Sequence, residues 1–218
     1  MKHLVNLKEI DCSESAITDS AINNFPNFLE KINLCQCEHI SDFNIKHLVN
    51  LKEIDCSETS ITDSSINNFP VSLETIKLNQ CENISDFNIN HLVHLKEIDC
   101  SECSITDSAI NNFPVSLEEI SLVLCKNISA FNIKYLVNLK MIDCAYSTIT
   151  DAAINNFPVS LEEIKLMDCH KIRNFNINHL VKLKKIYCRG SSITDRALEN
   201  FPVSLETRDL NNCKNIVQ

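Results

Sequence analysis

Apolar and polar residues alternate over short stretches that recur along the whole chain with a fixed spacing of 22 residues. The first stretch reads Leu-x-x-Ile-x-Cys from Leu7, and the second reads Leu-x-x-Ile-x-Leu from Leu29. Apolar residues at every second position are typical of a β-strand with one buried face. The pattern therefore predicts short strands at Glu9–Cys12, at Lys31–Leu34 and at the equivalent positions of the later repeats.

The 22-residue units are of two alternating types, and one unit of each type forms a block of 44 residues. A string beginning His-Leu-Val-Asn-Leu, with small changes, starts each block, at His3, His47, His91, Tyr135 and His179. No insertion or deletion interrupts this spacing. We therefore predict that residues 1–218 form a single solenoid of ten units in five tandem blocks.

The segments between the strands differ between the two unit types. In the first type, Ile17–Pro26 is predicted to form a short helix, with Thr18 or Asp19 at its N-terminus and Pro26 at its end. In the second type, Ser41–Leu48 is predicted to be a weaker helix, a 3₁₀ turn or irregular. A unit buries about six apolar side chains, whereas ordering 22 residues costs about 1–2 kcal/mol each. Only stacked units can therefore be stable.

Both unit types match the pattern L-x-x-L-x-L-x-x-N/C-x-L, so the chain resembles the leucine-rich-repeat proteins. The second type resembles the cysteine-containing subclass, as in Cys37-Glu-His-Ile-Ser-Asp and Cys81-Glu-Asn-Ile-Ser-Asp. That subclass is typical of F-box/LRR proteins, the substrate receptors of ubiquitin ligases, although its units usually run longer than 22 residues. The resemblance implies an α/β fold: a right-handed horseshoe with about ten parallel strands on its concave side and short helices or 3₁₀ turns on its convex side.

Composition excludes several classes of partner and site. The net charge of −9 argues against a nucleic-acid backbone or an anionic membrane surface as the partner. The chain has one glycine, so a glycine-rich phosphate loop is excluded. Neither a long apolar run nor a signal-peptide core is visible, and we expect a cytoplasmic protein.

The cysteines and histidines follow the repeat, which favours structural roles over chemical ones. Of the twelve cysteines, most recur at fixed positions, and we expect them to be reduced. Cys100 and Cys103 have the spacing of a metal or redox pair, but both fall on core positions. Cys35 is predicted to face the concave solvent and to be the reactive thiol. No catalytic motif is present, so we predict no enzyme activity, no metal and no cofactor.

The concave face is predicted to change character along the chain. Its N-terminal half carries an acidic ladder of nine carboxylates, namely Glu9, Asp11, Glu14, Glu53, Asp55, Glu58, Glu97, Asp99 and Glu102. Its C-terminal half carries an apolar and aromatic set with one arginine, namely Val123, Leu124, Met141, Tyr146, Met167, Tyr187 and Arg189. Ser13, Ser57, Ser101 and Ala145 are assigned to the same outward surface. Clustered exposed aromatic, Met and Arg residues are typical of protein interfaces.

These observations favour a non-catalytic protein–protein interaction module that binds its partner on the concave face, where the acidic ladder would suit a basic partner. Two settings are compatible with this role: the substrate-recognition part of an F-box/LRR-like ubiquitin ligase assembly, and an effector. The alternative is a structural scaffold or repeat fragment with no dedicated ligand, in which the concave differences are drift among duplicated copies.

Overall fold

A computed structural model describes residues 6–217 of the chain. Ten three-residue strands form one parallel sheet, and their order in the sheet is their order in the chain. The predicted solenoid and its ten strands are confirmed. The strands are β1 Glu9–Asp11, β2 Lys31–Asn33, β3 Glu53–Asp55, β4 Thr75–Lys77, β5 Glu97–Asp99, β6 Glu119–Ser121, β7 Met141–Asp143, β8 Glu163–Lys165, β9 Lys185–Tyr187 and β10 Thr207–Asp209.

The register between neighbouring strands is 22 residues throughout the sheet. Ile10 pairs with Ile32, and Ile32 pairs with Ile54. The middle residue of each strand therefore stacks on its equivalent in the next turn, and from β2 to β9 it is an almost fully buried isoleucine. In β10 this position is Arg208, which is exposed because the strand has a neighbour on one side alone within residues 6–217.

The return segments are less regular than the sheet. Each first-type unit has a single helical turn: α1 Asp19–Ile22, α2 Asp63–Ile66, α3 Asp107–Ile110, α4 Asp151–Ile154 and α5 Asp195–Leu198. The second-type return, such as Ser41–Leu48, is irregular, which was one of the predicted outcomes. No helix in residues 6–217 is long and apolar enough to cross a bilayer.

A continuous apolar core runs through all turns from one end of the solenoid to the other. Phenylalanines from the two unit types join it in pairs: the rings of Phe43 and Phe69 are stacked with their centroids 6.2 Å apart. The same pairing recurs in each later block. Each ring belongs to a different unit, so the pairs stabilise the stack and contribute nothing to an isolated unit.

The aspartate at the start of each helix holds the next unit. Asp107 accepts hydrogen bonds from the backbone N–H groups of Ser129 at 2.7 Å and Ala130 at 3.0 Å. The prediction that an aspartate such as Asp19 caps its own helix is wrong, because the carboxylate bonds to the following unit instead. The alternative cap, Thr18, makes no side-chain cap bond, although its equivalent Thr106 does. Equivalent bonds to a residue 22 positions further along are made by Asp19, Asp63, Asp151 and Asp195.

Cysteines form a second set of bonds between units. The Sγ of Cys37 donates to the carbonyl oxygen of Cys12 at 3.0 Å. At the same repeat position Cys103 donates to the carbonyl of Leu78 at 2.8 Å. Each of these carbonyls thereby gains a donor from the neighbouring unit, in addition to any donor in its own turn. The contact recurs at Cys81, Cys125, Cys169 and Cys213.

The repeated histidine forms a third set of bonds between units. The Nε2 atoms of His47, His91 and His179 each lie 3.1 Å from a phenylalanine carbonyl oxygen one unit earlier. A carbonyl can only accept, so Nε2 carries the proton. The Tyr135 hydroxyl donates to the equivalent carbonyl of Phe113 at 3.0 Å, which explains why tyrosine substitutes here. His3, the first of this row in the sequence, lies outside the described residues.

The expectation that Cys35 is the reactive thiol is only partly met. Its side chain is half-buried, as are those of Cys12 and Cys213. Burial, together with the negative charges of Asp55 and Glu58, raises the pKa of the Cys35 thiol. At neutral pH the attacking thiolate is therefore scarce at Cys35, despite its partial access to solvent.

The Cys100 and Cys103 pair is confirmed as part of the core. Both side chains are buried. Burial also raises the pKa of both thiols. Deprotonation, which metal binding and thiol exchange both require, is thereby opposed at these two positions.

Substituting Asp107→Ala should lower the free energy of unfolding by about 1.5–3 kcal/mol, because two backbone N–H groups lose a charged acceptor. Asp42→Ala, which removes an exposed carboxylate on the same flank, should change it by less than about 0.5 kcal/mol. Urea denaturation measures both. Equal losses for the two variants would contradict the role assigned to Asp107.

At pH 7 a thiol reagent should label the folded protein slowly, with Cys12, Cys35 and Cys213 ahead of the buried thiols. Labelling of Cys35 should accelerate about tenfold per pH unit until the pH reaches its raised pKa. Glu58→Gln should speed Cys35 labelling at fixed pH, since it removes a nearby negative charge. Mass spectrometry after timed alkylation measures the labelling rate at each cysteine. Fast labelling of most thiols in the folded state would contradict this account.

Candidate protein-binding face

Three positions face outward on the concave side in every turn of the solenoid. The first and third residues of the strand point away from the core, because the middle residue points into it. The other position lies three residues after the strand, where the backbone has a positive φ in every turn. We call this last set the rim row: Glu14, Gln36, Glu58, Gln80, Glu102, Leu124, Tyr146, Asp168, Gly190 and Asn212.

The glutamates of the acidic ladder are separated by residues of the other unit type. Along the first strand position, Glu9 is followed by Lys31, Glu53, Thr75 and Glu97. The Lys31 ammonium lies 2.8 Å from a carboxylate oxygen of Glu53. Glu53 is thus neutralised within the chain, whereas Glu9 and Glu97 extend into solvent as exposed residues.

The aspartates of the ladder fix the chain as it leaves the strand. In Asp11, Asp55 and Asp99, Oδ1 accepts the backbone N–H two residues further on, at 2.9–3.0 Å. The hydroxyl and backbone N–H of Ser13 lower the pKa of Asp11. Asn79 Nδ2 also donates to Asp99 at 2.9 Å. These carboxylates have a structural role that sequence analysis did not predict, and the glutamates are left as the freer charges.

Three small residues that lie two positions after their strands were wrongly assigned to the outward surface. Ser57, Ser101 and Ala145 are buried there. The backbone bends at this point toward the aspartate that accepts its N–H, and a small side chain then packs between neighbouring turns. Larger side chains at this position, such as those of Val123 and Met167, remain half-exposed.

Four of the predicted apolar residues lie together at the rim: Val123, Leu124, Tyr146 and Met167, which we call the rim cluster. Leu124 and Tyr146 are successive members of the rim row, and Val123 and Met167 occupy the position just before it in the turns on either side of Ala145. The Tyr146 N–H donates to the Met167 carbonyl at 2.7 Å. Tyr146 is 46% exposed, which makes it the most accessible member of the cluster.

The other three predicted residues lie apart from the rim cluster to different degrees. Arg189 is exposed and follows Met167 at the same position of the next turn. Tyr187 is half-buried on β9, in register with Lys165 and with β10. Met141 begins β7, in register with the acidic residues that begin β6 and β8. Arg189 therefore borders the rim cluster, while Tyr187 and Met141 stand among charged side chains of the sheet.

The rim row holds its residues in a backbone conformation that favours glycine and asparagine. Leu124 has φ 61° and Tyr146 has φ 59°. The left-handed region is disfavoured for residues with a Cβ, and a bulky residue there is an outlier. The sequence carries no direct signal of this strain, because the rim row contains one glycine, Gly190, among its ten positions.

Lys126, which lies beside the rim cluster, was not among the predicted site residues. Its ammonium donates to the backbone carbonyl of Tyr146. The equivalent residues of the two preceding blocks are Glu38 and Glu82. Comparison of the copies at this position reveals the change from acidic to basic character.

Metal coordination finds no geometric support in the described part of the chain. Across residues 6–217, no three His, Cys, Asp or Glu side chains converge in a way that could hold a metal ion. The regular rows spread the carboxylates along the sheet, whereas a cation site requires ligands that point at one centre.

Comparisons with known proteins establish the fold. The sequence matches no family model. It also matches no curated protein. Among solved structures, the functional domain of InlJ from Listeria monocytogenes, which includes a cysteine ladder, is similar over 98% of this chain and 46% of that one, with 15% identity and a TM-score of 0.71.

Two further structures are similar over most of this chain. The mouse RP105/MD-1 complex matches 96% of this chain and 39% of that one, with 18% identity and a TM-score of 0.73. The TLR13–ssRNA13 complex matches 96% and 36%, with 20% identity and a TM-score of 0.61. This chain spans less than half the length of each of these three structures. The likeness, together with the ten-stranded parallel sheet, shows that the chain has the leucine-rich-repeat fold.

Proposed function

We propose that this chain is a non-catalytic binding module that captures a protein partner through the rim cluster on its concave side. The observation that carries the proposal is the change to large apolar side chains at Leu124 and Tyr146, in a row whose backbone φ is positive in every turn and whose other members are charged residues, amides and one glycine. Leu124 and Tyr146 are bulky side chains on left-handed backbone, and Tyr146 is also exposed. Neither feature benefits folding.

The cost of a left-handed backbone is shared by the whole rim row, and at Leu124 and Tyr146 it comes together with apolar surface left partly uncovered. A residue held in a sparsely populated backbone region costs of order 1–3 kcal/mol, so leucine and tyrosine are poor choices for stability here. Exposed aromatic surface adds no burial energy. Large apolar side chains kept at such positions are typical of sites where a partner covers them and offsets the cost. The scaffold alternative offers no such compensation.

The charges around the rim cluster indicate which charges a partner would carry. Toward the N-terminal end the rim row is acidic, with Glu14, Glu58 and Glu102, and two glutamines donate to the latter two carboxylates. Lys126, in the same turn as Leu124, and Arg189, two turns after Tyr146, are exposed basic residues, and Asp168 follows Tyr146 in the rim row. A partner with an apolar anchor and a basic extension toward the N-terminal half would meet complementary charge.

Narrower assignments rest on resemblance. The cysteine at the L-x-x-L-x-L-x-x-C position supports a place among F-box/LRR-like substrate receptors or effectors, and we propose a cytoplasmic setting in which its thiols stay reduced.

One structural neighbour is a complex with single-stranded RNA. For this chain a protein partner is favoured over RNA, because its net charge is −9 and RNA backbones attract basic surfaces.

Replacing both strained residues, Leu124→Asn and Tyr146→Asn, should abolish partner capture while leaving the fold intact or more stable by about 0.5–1 kcal/mol, since Asn tolerates left-handed backbone. The matched control, Gln36→Asn with Gln80→Asn, changes the same rim-row position in turns away from the cluster. Affinity capture from lysate compares wild type with both variants, and urea denaturation reads stability.

Proteins retained by wild type and by the control but lost with the Leu124/Tyr146 variant are the partners that the proposal requires. Equal retention on all three baits would overturn it and favour the scaffold alternative. A loss of stability in the cluster variant would also contradict the strain argument.

Neutralising the exposed carboxylates, Glu9→Gln with Glu97→Gln, should slow association with the captured partner several-fold and leave dissociation nearly unchanged, because these charges act mainly at long range. The effect should shrink as salt is added. Adding Glu53→Gln should change little more, since Lys31 already pairs with Glu53. Surface plasmon resonance at two salt concentrations measures both rates, and a change confined to dissociation would contradict steering.

A further inference from the structure

A row of exposed valines runs along the flank of the solenoid where the chain enters the strands. It comprises one valine per turn over eight successive turns, each at least half exposed: Val49, Val71, Val93, Val115, Val137, Val159, Val181 and Val203. We call it the valine row. At about 4.8 Å per turn it is about 34 Å long. A continuous apolar row of this length is unusual on the free surface of a soluble protein.

A charged row runs beside the valine row, three residues further along in each turn. Its members alternate in sign because the two unit types differ there: Lys52, Glu74, Lys96, Glu118, Lys140, Glu162, Lys184 and Glu206. Neighbouring members pair within the chain, as where Lys96 lies 2.5 Å from Glu74 and Lys184 lies 2.7 Å from Glu162. Val93, Lys96 and Glu118 line one shallow depression, which shows that the two rows are adjacent.

From these two rows we propose that two copies of this chain pair antiparallel, valine row against valine row. A two-fold axis midway between Val115 and Val137 overlays all eight valines. Val115 then meets Val137 of the second copy, and Val49 meets its Val203. The choice of axis uses the valines alone.

The charged row provides an independent check on that arrangement. With the same axis, Glu118 faces Lys140 of the second copy and Lys96 faces its Glu162, and the outer members follow in the same way. Every lysine of one copy thus faces a glutamate of the other. A shift by one turn would bring lysine onto lysine and glutamate onto glutamate, and it would also leave one valine of each copy unmatched.

The size of the surface indicates a weak dimer. The two rows lie three residues apart, about 10 Å in extended chain, so the strip that they form covers a few hundred Å² per copy, less than the roughly 800 Å² per partner of a standard interface. The valines supply apolar contact, and the charges select orientation and register more than they add affinity. This surface lies on the flank that precedes the strands, and the rim cluster follows them, so the proposal is independent of the proposed function.

Charge reversal on the intact 218-residue chain tests the pairing. One variant, Lys96→Glu with Lys140→Glu, makes the middle of the charged row acidic, and another, Glu118→Lys with Glu162→Lys, makes it basic. Each variant alone should self-associate at least about tenfold more weakly than wild type, because like charges then face each other. An equimolar mixture should regain dimers, since every facing pair in the mixed dimer is again opposite in sign.

Sedimentation equilibrium measures the monomer–dimer equilibrium of every sample. The concentrations run from about 1 to 500 µM, a range chosen for weak interfaces. Val115→Asp with Val137→Asp should also abolish the dimer. Ala130→Asp, on the opposite flank at a position where two earlier units carry aspartate, should leave it unchanged. Circular dichroism confirms that each variant is folded. A monomeric wild type over this range, or a mixture of the two charge variants that stays monomeric, would overturn the proposal.

Discussion

Every feature of this molecule depends on the parallel register between successive turns, which is 22 residues without exception. A three-residue strand has too few hydrogen bonds to exist alone, and a 22-residue unit buries too little apolar surface to offset its ordering entropy. The constant register aligns each isoleucine, leucine and phenylalanine with its equivalent, so each turn completes the core of its neighbours. An inserted residue within a strand would displace these contacts at that interface.

The same register also provides hydrogen-bond partners for the polar backbone groups, most of which lie outside helices and strands. Return segments leave N–H and C=O groups without partners in their own unit. Side chains from the preceding or following turn supply those partners: the helix-start aspartates bind N–H groups, while the cysteine and histidine rows bind carbonyls. In the described part of the chain, no buried side-chain N or O atom lacks a hydrogen bond. The residues that look chemically interesting are thereby committed to holding units together.

Binding then depends on those outward side chains that take no part in holding the turns together. Because equivalent residues line up, any outward position becomes a row along the solenoid, and the pattern of that row decides what it can bind. The valine row repeats without change and has charges of alternating sign beside it, so it suits a second copy of the same chain. The rim row changes at Leu124 and Tyr146, so it suits a single partner at one place. Uniform rows and interrupted rows thus point to different kinds of interface on opposite flanks of one sheet.

The sequence by itself determined the fold, the ten strands and the core, because spacing reveals which residues repeat and alternation reveals which of them point inward. It also identified Tyr146 and Leu124 as departures from the repeat. Only the tertiary structure decided what the repeated polar residues touch: Asp107 binds the next unit, and His91 clamps a carbonyl. It also decided that Ser101 is buried and that Tyr146 has a left-handed backbone. Periodicity fixes position along the chain, whereas these roles depend on which atoms of a residue 22 positions away lie within hydrogen-bonding reach, and that distance exists only once the turns are stacked.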